Sequence, residues 1–398
     1  MKKKVLFVMS TLNTGGAQKI ISNIIMALPT EWEVDILLND SEQIAYPYRG
    51  NIIDLKMKPT LNKRKLSYQV QILWKRYHTL RKIKRQNGYD ACISAMDSAN
   101  FVNVLTGNRY CKTIPTIHGY HTKGWAPKRI EPLASWLVGK TLKKADCVVT
   151  VSQGLAHEMT EKFHVDARKV VTIYNGYPVD EILQKKEVKT DVILPWGEEV
   201  QIVVATGRME KIKGQWHLIK AFSKVAEKNP KARLLILGDG QLRPELEALV
   251  NELQILDKVY MPGFVDNPFA YLGKATLFVM SSLSEGYPNA MAEAIICGIP
   301  CVSCDCEAGP REILAETCNK QEITQGFLKE KYGILTPAFE EDDLWTNKEI
   351  SSQEQRMADA ICEMLKDNDL YLHYKKKISD KTKALDMKNV IHEWMDLL

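Results

Sequence analysis

The sequence has 398 residues, of which 45% are hydrophobic and 26% charged, and it carries a net charge of +5. This length is too great for one compact core and fits two domains of about 150–200 residues each. No apolar run approaches the roughly 18–20 residues needed to cross a bilayer, which excludes a membrane-spanning helix. Nine cysteines without regular spacing or a secretory signal indicate a reducing compartment.

Positive charge is concentrated in the first half of the chain. Residues 1–180 hold 27 Lys and Arg against 14 Asp and Glu, whereas residues 181–398 hold 27 against 35. This asymmetry predicts that the first half meets an anionic partner.

Six short apolar strands alternate with helical patterns in the first half. The first strand follows three lysines, but its apolar run is too short for a signal peptide and lacks a cleavage site. Near-continuous Val, Ile and Leu runs between helices indicate parallel strands that are covered on both faces. The predicted strands are Val5–Ser10, Glu33–Asn39, Ala91–Met96, Thr113–His118, Cys147–Ser152 and Val170–Asn175.

Gly15 and Gly16 follow the first predicted strand and lead into a helix. Paired glycines let backbone amides approach a phosphate or a sugar closely. A tight turn between strand and helix would explain the pair equally well.

The segment Lys56–Arg85 contains eleven Lys and Arg and no acidic residue. One interpretation is a solvated surface helix whose apolar stripe faces its own core. The other is a basic amphipathic helix that attaches to an anionic membrane surface. The apolar positions at helical spacing are Leu66, Val70, Leu73, Tyr77 and Leu80, with Trp74 beside them. A second segment also combines tryptophans with cations: Trp125 and Trp136 lie among Lys123, Lys128, Arg129, Lys140, Lys143 and Lys144. No helix-turn-helix, RNA-binding or zinc pattern accompanies these residues, so nucleic acid is not an expected partner.

His118 ends a predicted strand and is followed by Gly119. A histidine can donate a hydrogen bond to a sugar hydroxyl or to a developing oxyanion without a large pKa shift. A lone histidine at such a position is more often structural.

The second half repeats the alternation of strands and helices, so the chain is predicted to contain two Rossmann-like doubly wound α/β domains. The predicted strands are Ile202–Gly207, Arg233–Gly238, Val259–Gly263, Leu277–Ser282, Pro300–Cys304 and Gly333–Thr336. A polar, turn-like stretch separates the halves, and the predicted divisions are residues 1–183, 184–379 and a C-terminal helical segment 380–398.

The loop Gly207–Gly214, with the pattern G-R-x4-K-G, follows the first strand of the second half and opens a helix. The guanidinium of Arg208 has several hydrogen-bond donors in one plane, and the ammonium of Lys213 carries a localised positive charge. Both suit the negative charge of a diphosphate leaving group. Taken alone, a solvated basic loop would explain the pattern as well.

Two glutamates, Glu285 and Glu293, stand seven residues apart in a strand–loop–helix unit. Glu285 follows a strand end, where open α/β sheets bind ligands. Glu293 lies about one turn into a helix predicted from Asn289 to Cys297, near enough to share that ligand. Two carboxylates suit a ligand rich in hydroxyls, because each accepts several hydrogen bonds.

Together these motifs resemble the retaining glycosyltransferases of family 4, and the resemblance covers nearly the whole chain. It implies a GT-B fold, in which two Rossmann-like domains face each other across a cleft, with an acceptor-binding, membrane-facing first domain. It also implies that segment 380–398 crosses back to that domain. Ala308–Glu312 resembles the G-G-x-x-E element of the family, with alanine in place of the first glycine.

The resemblance assigns the catalytic roles to Arg208, Lys213, Glu285 and His118. Arg208 and Lys213 would stabilise the diphosphate, Glu285 would hold the donor sugar, Glu293 would hold the ribose, and His118 would face the donor sugar. His121 is given no role. The remaining expected donor contacts are Gly15, Gly16, Gly207, Gly263, Phe264, Val265, Gly286, Tyr287, Pro288, Asn289 and Ala290, with the nucleobase near Phe264 and Val265.

The implied function is metal-independent, retaining transfer of a hexose or N-acetylhexosamine from a nucleotide sugar, with no cofactor. UDP is the expected nucleotide, and the expected acceptor is a glycan on a polyprenyl-diphosphate carrier in surface polysaccharide synthesis. The expected location is the cytoplasmic face of the cell membrane. Two alternatives stay open: a nucleotide-sugar epimerase of GT-B fold and a non-catalytic glycan-binding protein.

Overall fold

The computed structural model describes residues 2–58, 66–121, 131–188, 192, 194–197, 199–315, 323, 326–340 and 349–398. The chain forms two compact units, one of Met1–Tyr177 with Asp386–Leu398 and one of Pro178–Leu385. The first division thus falls six residues before the predicted one, because the helix after Pro178 packs within the second unit. The returning segment begins at Asp386 rather than at residue 380, because the preceding helix runs to Leu385.

The described part of the first unit contains one sheet of parallel strands in the order β3-β2-β1-β4-β5-β6-β7. Its strands are β1 Lys4–Val8, β2 Glu33–Leu38, β3 Asn51–Asp54, β4 Ala91–Ala95, β5 Lys112–Ile117, β6 Val148–Thr150 and β7 Val170–Thr172. The six predicted strands are confirmed. The edge strand β3 was not predicted, because polar residues close both of its ends.

Helices cover the first sheet. They are α1 Gly16–Ala27, α2 Leu66–Asn87, α3 Asp97–Leu105, α4 Glu131–Leu142, α5 Gln153–His157 and, from the C-terminal segment, α14 Met387–Leu397. Helix α3 packs on β5 and contacts α2 on one side and α4 on the other. The core beneath α2 and α3 includes Leu6, Leu37, Leu80 and Val102.

The described part of the second unit contains a second sheet, in the order β10-β9-β8-β11-β12-β14-β13, parallel except at its edge pair β13–β14. Its strands are β8 Gln201–Thr206, β9 Ala232–Leu237, β10 Val259–Gly263, β11 Leu277–Met280, β12 Cys301–Cys304, β13 Leu328–Lys329 and β14 Gly333–Thr336. The predicted strands are again confirmed. The two-residue β13 is too short to show an apolar pattern.

The helices of the second unit are α6 Val179–Glu187, α7 Gln215–Lys228, α8 Arg243–Glu252, α9 Pro268–Leu272, α10 Asn289–Ile296, α11 Pro310–Leu314, α12 Ser352–Lys366 and α13 Asn368–Leu385. Helices α7 and α12 pack side by side, and Trp216 of α7 is fully buried. In the described part of the chain, none of the helices has both the length and the apolar content needed to span a bilayer.

Helix α14 closes the first unit. The Met387 N–H donates to the Tyr177 carbonyl at 2.8 Å, and α14 packs on α1. The Lys112 ammonium donates to the Leu397 carbonyl at 2.7 Å. The buried Val390 and Trp394 show that this helix completes the core of the first unit.

Candidate active site

Three glycines stand at the carboxyl edge of the second sheet, where the neighbouring strands β8, β9 and β10 end. Gly207, Gly238 and Gly263 have φ values of 153°, 128° and 89°, which glycine tolerates best. The Gly238 N–H donates to the Gly263 carbonyl at 2.9 Å, and a Cβ on Gly238 would lie 2.1 Å from the Gly207 oxygen. The loops therefore pack backbone to backbone and form a surface lined by main chain, at the edge where such sheets bind ligands.

The loop that carries Lys213 is fixed to the end of β11. Gly214 adopts a left-handed conformation, and a Cβ there would lie 2.2 Å from the Ser281 carbonyl oxygen. The Ser281 hydroxyl donates to the Lys213 carbonyl at 3.1 Å, and the Leu283 N–H donates to the Ile212 carbonyl at 2.8 Å. Only glycine permits this close approach, which explains the final glycine of the G-R-x4-K-G motif.

This close approach joins two of the predicted catalytic residues. The Lys213 ammonium donates to Oε1 of Glu285 at 2.6 Å, although the residues are 72 positions apart. The two side chains are 27% and 12% exposed, respectively. An oriented cation therefore lies at the ligand-binding edge of the sheet, still accessible from solvent. An anionic ligand could share the lysine with Glu285, because an ammonium has three donors.

Arg208 has a different acidic partner. Its Nη1 lies 3.0 Å from Oε1 of Glu210, and its side chain is 74% exposed. The structure thus pairs Lys213 with Glu285 and Arg208 with Glu210. Convergence of both cations with Glu285 and Glu293 on one ligand stays a prediction. Glu210 has no place in the predicted site, and its spacing from Arg208 carries no signal that they pair.

The loop after Glu285 packs tightly before helix α10 begins. Tyr287 and Pro288 are buried, and Asn289 and Ala290 open the helix. Glu293 lies in the second turn and is buried, in the predicted position on the helix. The backbone of the segment 285–293 thus bends at Gly286 between strand and helix, and most of its side chains are buried.

The turn at Ala308–Glu312 packs against this loop. A Cβ on Gly309 would lie 2.5 Å from Cδ of Pro288, so glycine is required there. Ala308 has a φ of 55°, so alanine adopts the left-handed conformation in place of the first glycine of the family pattern, at a cost of about 1 kcal/mol. The substitution therefore leaves the turn in place.

Arg311 anchors the same turn, a role that the sequence did not predict. This buried guanidinium donates from Nη2 to Oδ2 of Asp305 at 2.5 Å and from Nε at 3.2 Å, and its Nη1 lies 3.5 Å from Oε1 of Glu330. Bidentate pairing of this kind is geometrically specific. It therefore holds the start of α11, and with it the turn at Ala308–Glu312, to the end of β12.

Comparisons with known proteins identify the family of the chain. A family model described as Glycosyltransferase Family 4 matches residues 14–181, and one described as Glycosyl transferases group 1 matches residues 200–367. An uncharacterized glycosyltransferase of Methanocaldococcus jannaschii is 32% identical over 354 residues, covering 85% of this chain and 86% of the relative. The chain belongs to glycosyltransferase family 4.

This glycosyltransferase also resembles a named relative and a solved structure along its whole length. The N-acetylgalactosamine-N,N'-diacetylbacillosaminyl-diphospho-undecaprenol 4-alpha-N-acetylgalactosaminyltransferase of Campylobacter jejuni is 25% identical over 402 residues, covering 100% of both chains. The structure of Anabaena HepE in complex with UDP and glucose has a TM-score of 0.74 at 16% identity and 99% coverage of both chains. The predicted GT-B fold is confirmed.

The nucleobase contact predicted for the glycosyltransferase lies beside Gly263. Phe264 is 69% exposed, and Val265 is partly buried. Arg243, from α8, donates to the Met261 carbonyl at 2.8 Å and holds the end of β10. An exposed aromatic ring at a ligand-binding edge offers a face for stacking as well as neighbouring backbone groups.

In the first unit of the glycosyltransferase, Gly15 has an extended backbone with a φ of 166°, and Gly16 begins α1. The Gly15 N–H donates to the Tyr46 hydroxyl at 3.2 Å. A Cβ on Gly15 would meet only the flexible end of Gln18. The turn itself therefore does not require glycine at position 15, and close approach of a ligand stays the predicted reason for it.

His118 is partly buried directly after β5. Its Nε2 lies 2.9 Å from the hydroxyl of Thr116, which itself donates to the Ser94 carbonyl at 2.8 Å. Nε2 is therefore the donor in this pair, and Nδ1 is the acceptor of the ring. Burial lowers the pKa of His118 to about 4, so the ring is neutral at pH 7. It can accept a hydrogen bond from a sugar hydroxyl, whereas the sequence suggested that it would donate one.

Helix α2 places its charges and its apolar side chains in unexpected positions. The buried Arg76 donates to Oδ1 of Asn39 at 2.6 Å, and the buried Lys84 donates to Oδ1 of Asn103 at 2.7 Å. Leu80 is buried, but Val70 and Trp74 are 55% and 64% exposed. The predicted stripe therefore only partly faces the core. The predicted basic and aromatic positions at residues 63–65, 123, 125, 128 and 129 lie outside the described residues.

Proposed function

We propose that this glycosyltransferase binds a UDP-linked hexose or N-acetylhexosamine at the carboxyl edge of the second sheet. The observation that carries the proposal is the Lys213–Glu285 pair beside the glycine-lined ends of β8, β9 and β10. Backbone amides on a glycine-lined surface suit a diphosphate, and the lysine supplies charge for it. The structural neighbour HepE binds UDP and glucose, and it also forms a complex with UDP-glucose.

The proposed reaction transfers the sugar with retention of configuration and without a metal ion. The bond between the anomeric carbon and the diphosphate oxygen breaks, and a bond to the acceptor hydroxyl forms on the same face. The departing phosphate takes the hydroxyl proton. Lys213 stabilises the charge that develops on the diphosphate, with Arg208 as a second cation from the same loop.

The carboxylates and the neutral histidine orient the sugars. Glu285 accepts hydrogen bonds from the donor sugar, and Glu293 accepts them from the ribose, since carboxylates bind hydroxyls with strong charge-assisted bonds. His118 offers Nδ1 to a hydroxyl of a substrate sugar. Phe264 and the backbone around it contact the uracil.

The proposed acceptor is a sugar carried on polyprenyl diphosphate during assembly of a surface polysaccharide at the cytoplasmic face of the membrane. Its support is the Campylobacter relative, which aligns with the whole chain and whose name describes a diphospho-undecaprenol acceptor. A second Campylobacter relative, 24% identical over 79% of this chain, is also named for a diphospho-undecaprenol acceptor.

The proposal is tested by incubating the protein, with and without EDTA, with UDP-N-acetylgalactosamine or UDP-N-acetylglucosamine and a glycan on undecaprenyl diphosphate. We expect transfer that is unaffected by EDTA and an α-linked product by NMR. A β-linked product would contradict retention, and loss of activity with EDTA would contradict metal independence. Conversion of the donor without any acceptor would favour the epimerase.

Membrane attachment is proposed for the outer surface of α2 and α4. On α2, Trp74 and Val70 are exposed, and three cations, Arg81, Lys82 and Arg85, follow them without an acidic residue between. On α4, the exposed Trp136 and Leu137 lie beside Lys140, whose ammonium is 4.6 Å from the Trp136 ring centroid. Exposed tryptophans beside cations are typical of helices that lie in the interface of an anionic membrane.

A vesicle experiment tests this attachment. Each Lys or Arg near an anionic surface contributes up to about 1 kcal/mol, so Arg81, Lys82 and Arg85 changed together to Gln should weaken binding to phosphatidylglycerol vesicles about tenfold or more. The matched control changes Lys375, Lys376 and Lys377 of α13, of which the first two are exposed and the third is partly buried, and it removes the same charge elsewhere. Equal losses for both triple variants would contradict a specific role for α2.

A further inference from the structure

In the first unit, residues 45–49 of the connection between β2 and β3 lie along helix α1. Before the start of the helix, the Ala45 N–H donates to the Leu12 carbonyl at 3.0 Å. Farther along, the hydroxyl of the buried Ser22 of α1 donates to the Pro47 carbonyl. This segment is therefore fixed both to the loop that precedes α1 and to the helix itself.

Arg49 fixes the same segment at the far end of α1. Its Nε donates to the Ile25 carbonyl and its Nη1 to the Trp32 carbonyl, both at 3.0 Å. Its Nη2 donates to the carbonyls of Leu28 and Pro29 at 3.1 and 2.7 Å. The last carbonyls of a helix lack partners inside it, so the guanidinium supplies donors where they are needed. The segment thus has a fixed path from one end of α1 to the other.

Tyr46 extends from this segment to the glycine loop before α1. The Gly15 N–H donates to the Tyr46 hydroxyl at 3.2 Å, and the Tyr46 side chain is partly buried. The residues on either side, Ala45 and Pro47, both make the backbone hydrogen bonds described above. The hydroxyl is therefore presented to Gly15 from a backbone that is fixed on both sides.

Gly15 depends on such a partner because its own conformation is weakly restrained. Its backbone is extended, and a Cβ there would meet only the flexible end of Gln18. Its carbonyl accepts from the Lys19 N–H at 3.0 Å, and its N–H is held by Tyr46. Glycine loses more backbone freedom on ordering than any other residue. The hydrogen bond to Tyr46 therefore fixes the orientation of the peptide that leads into Gly15.

The composition of this loop suits a ligand with phosphate oxygens. Residues 10–19 carry hydroxyl, amide and ammonium side chains and no carboxylate. Such groups, together with backbone N–H groups, donate hydrogen bonds to phosphate oxygens. Both proposed substrates contain a sugar diphosphate, which is linked to uridine in the donor and to a polyprenyl chain in the acceptor.

We propose that Tyr46 is a positioning residue, whose hydroxyl orients the Gly15 backbone for contact with a sugar diphosphate. The inference rests on the proposed function, because it takes the ligand from the proposed substrates. It adds to the reaction a side chain from the connection between β2 and β3, which belongs to none of the predicted motifs.

Hydrogen exchange of the Gly15 amide, followed by NMR, tests the positioning role without any substrate. Y46F removes the hydroxyl and keeps the ring. Y48F is the matched control, because it makes the same change at a tyrosine that is 40% exposed and contributes none of the hydrogen bonds named above. The amide should exchange about fivefold faster or more in Y46F, since one hydrogen bond is worth about that factor, and should be unchanged in Y48F. Equal exchange in the wild type and Y46F would overturn the role of Tyr46.

Steady-state transfer then connects this position to the substrate. KM is measured for UDP-N-acetylgalactosamine and for a glycan on undecaprenyl diphosphate. Y46F should raise one of the two KM values about fivefold and change kcat less than about twofold, because the contact is made equally in the ground state and the transition state. The KM that rises identifies the diphosphate. Y48F should match the wild type, and both variants should melt at the wild-type temperature.

The two measurements separate this inference from the proposed function. Wild-type values of both KM in Y46F would overturn the contact between the glycine loop and a diphosphate. Absence of transfer by the wild type would contradict the proposed function, whereas the exchange rate of the Gly15 amide would still decide the role of Tyr46.

Discussion

At the scale of single residues, the G-R-x4-K-G loop shows what a motif can and cannot predict. The sequence places Lys213 near Glu285 because both follow parallel strands that end at one sheet edge. Gly214 then brings the two loops into contact, since a side chain there would collide with Ser281. The partner of Arg208 could not be predicted, because an exposed side chain chooses among rotamers of similar energy.

His118 gives a pH prediction at the same scale. Burial lowers its pKa from 6.5 to about 4 in the folded protein. Between these values the unfolded chain binds the proton more tightly, so the free energy of unfolding falls as the pH falls. Between pH 7 and pH 5, urea denaturation should show the wild type losing about 2 kcal/mol more than H118Q. Identical pH dependence in the two proteins would contradict a lowered pKa for His118.

At the scale of elements, helix α7 begins directly after the Lys213 loop and is held by α12. The buried Glu354 of α12 accepts from Nδ1 of His217 at 2.7 Å and lies 3.0 Å from the Lys220 ammonium. Glu354 also caps its own helix, since its side chain accepts from the Ser351 N–H. Burial alone would raise the pKa of Glu354, but hydrogen bonds from His217 and Ser351 and the charge of Lys220 lower it below its usual value. This cluster therefore supports, from inside the second unit, the helix that follows the loop carrying Lys213.

Removal of the Glu354 carboxylate should destabilise this pair of helices. E354A leaves Lys220 as a buried charge without its partner, at an expected cost of about 3–5 kcal/mol in the free energy of unfolding. D359A is the control, because it breaks the exposed pair with Lys228 between the same two helices and should cost less than about 1 kcal/mol. The wild type should also lose stability as the pH falls through the lowered pKa of Glu354. Similar costs for the two variants in urea denaturation would contradict a specific role for the buried cluster.

Helix α2 shows that helical periodicity does not predict the burial of every side chain. Helical spacing correctly predicts the helix and the burial of Leu80. It does not predict that Arg76 turns inward, because the sequence does not show that Ser10, Asn39 and Ser98 supply oxygens for its guanidinium. With Arg76 and Lys84 inside, Val70 and Trp74 remain outside. The membrane proposal is based on this arrangement, in which two cations of the helix are buried and two apolar side chains are exposed.

At the scale of the whole molecule, the alternation of strands and helices was sufficient to predict two doubly wound units. Both predicted boundaries differ by six residues from the observed ones, which lie at Tyr177 and Asp386. Each boundary adjoins a helix, and the sequence does not show which unit that helix packs against. Asp386 pairs with Tyr177, and α14 completes the core of the first unit.

The proposed mechanism depends most on Lys213 as the cation that stabilises the leaving diphosphate, and K213A tests this role most directly. Transfer from UDP-N-acetylgalactosamine is measured for the wild type, K213A and K211A, in which an exposed lysine of the same loop is removed. We expect kcat to fall about 10²–10³-fold in K213A, as when a preorganised oxyanion donor is lost, and to stay unchanged in K211A. The melting temperature of K213A is measured as well, because removal of the lysine leaves the largely buried Glu285 without its cation. A folded K213A protein with the kcat of the wild type would contradict the account.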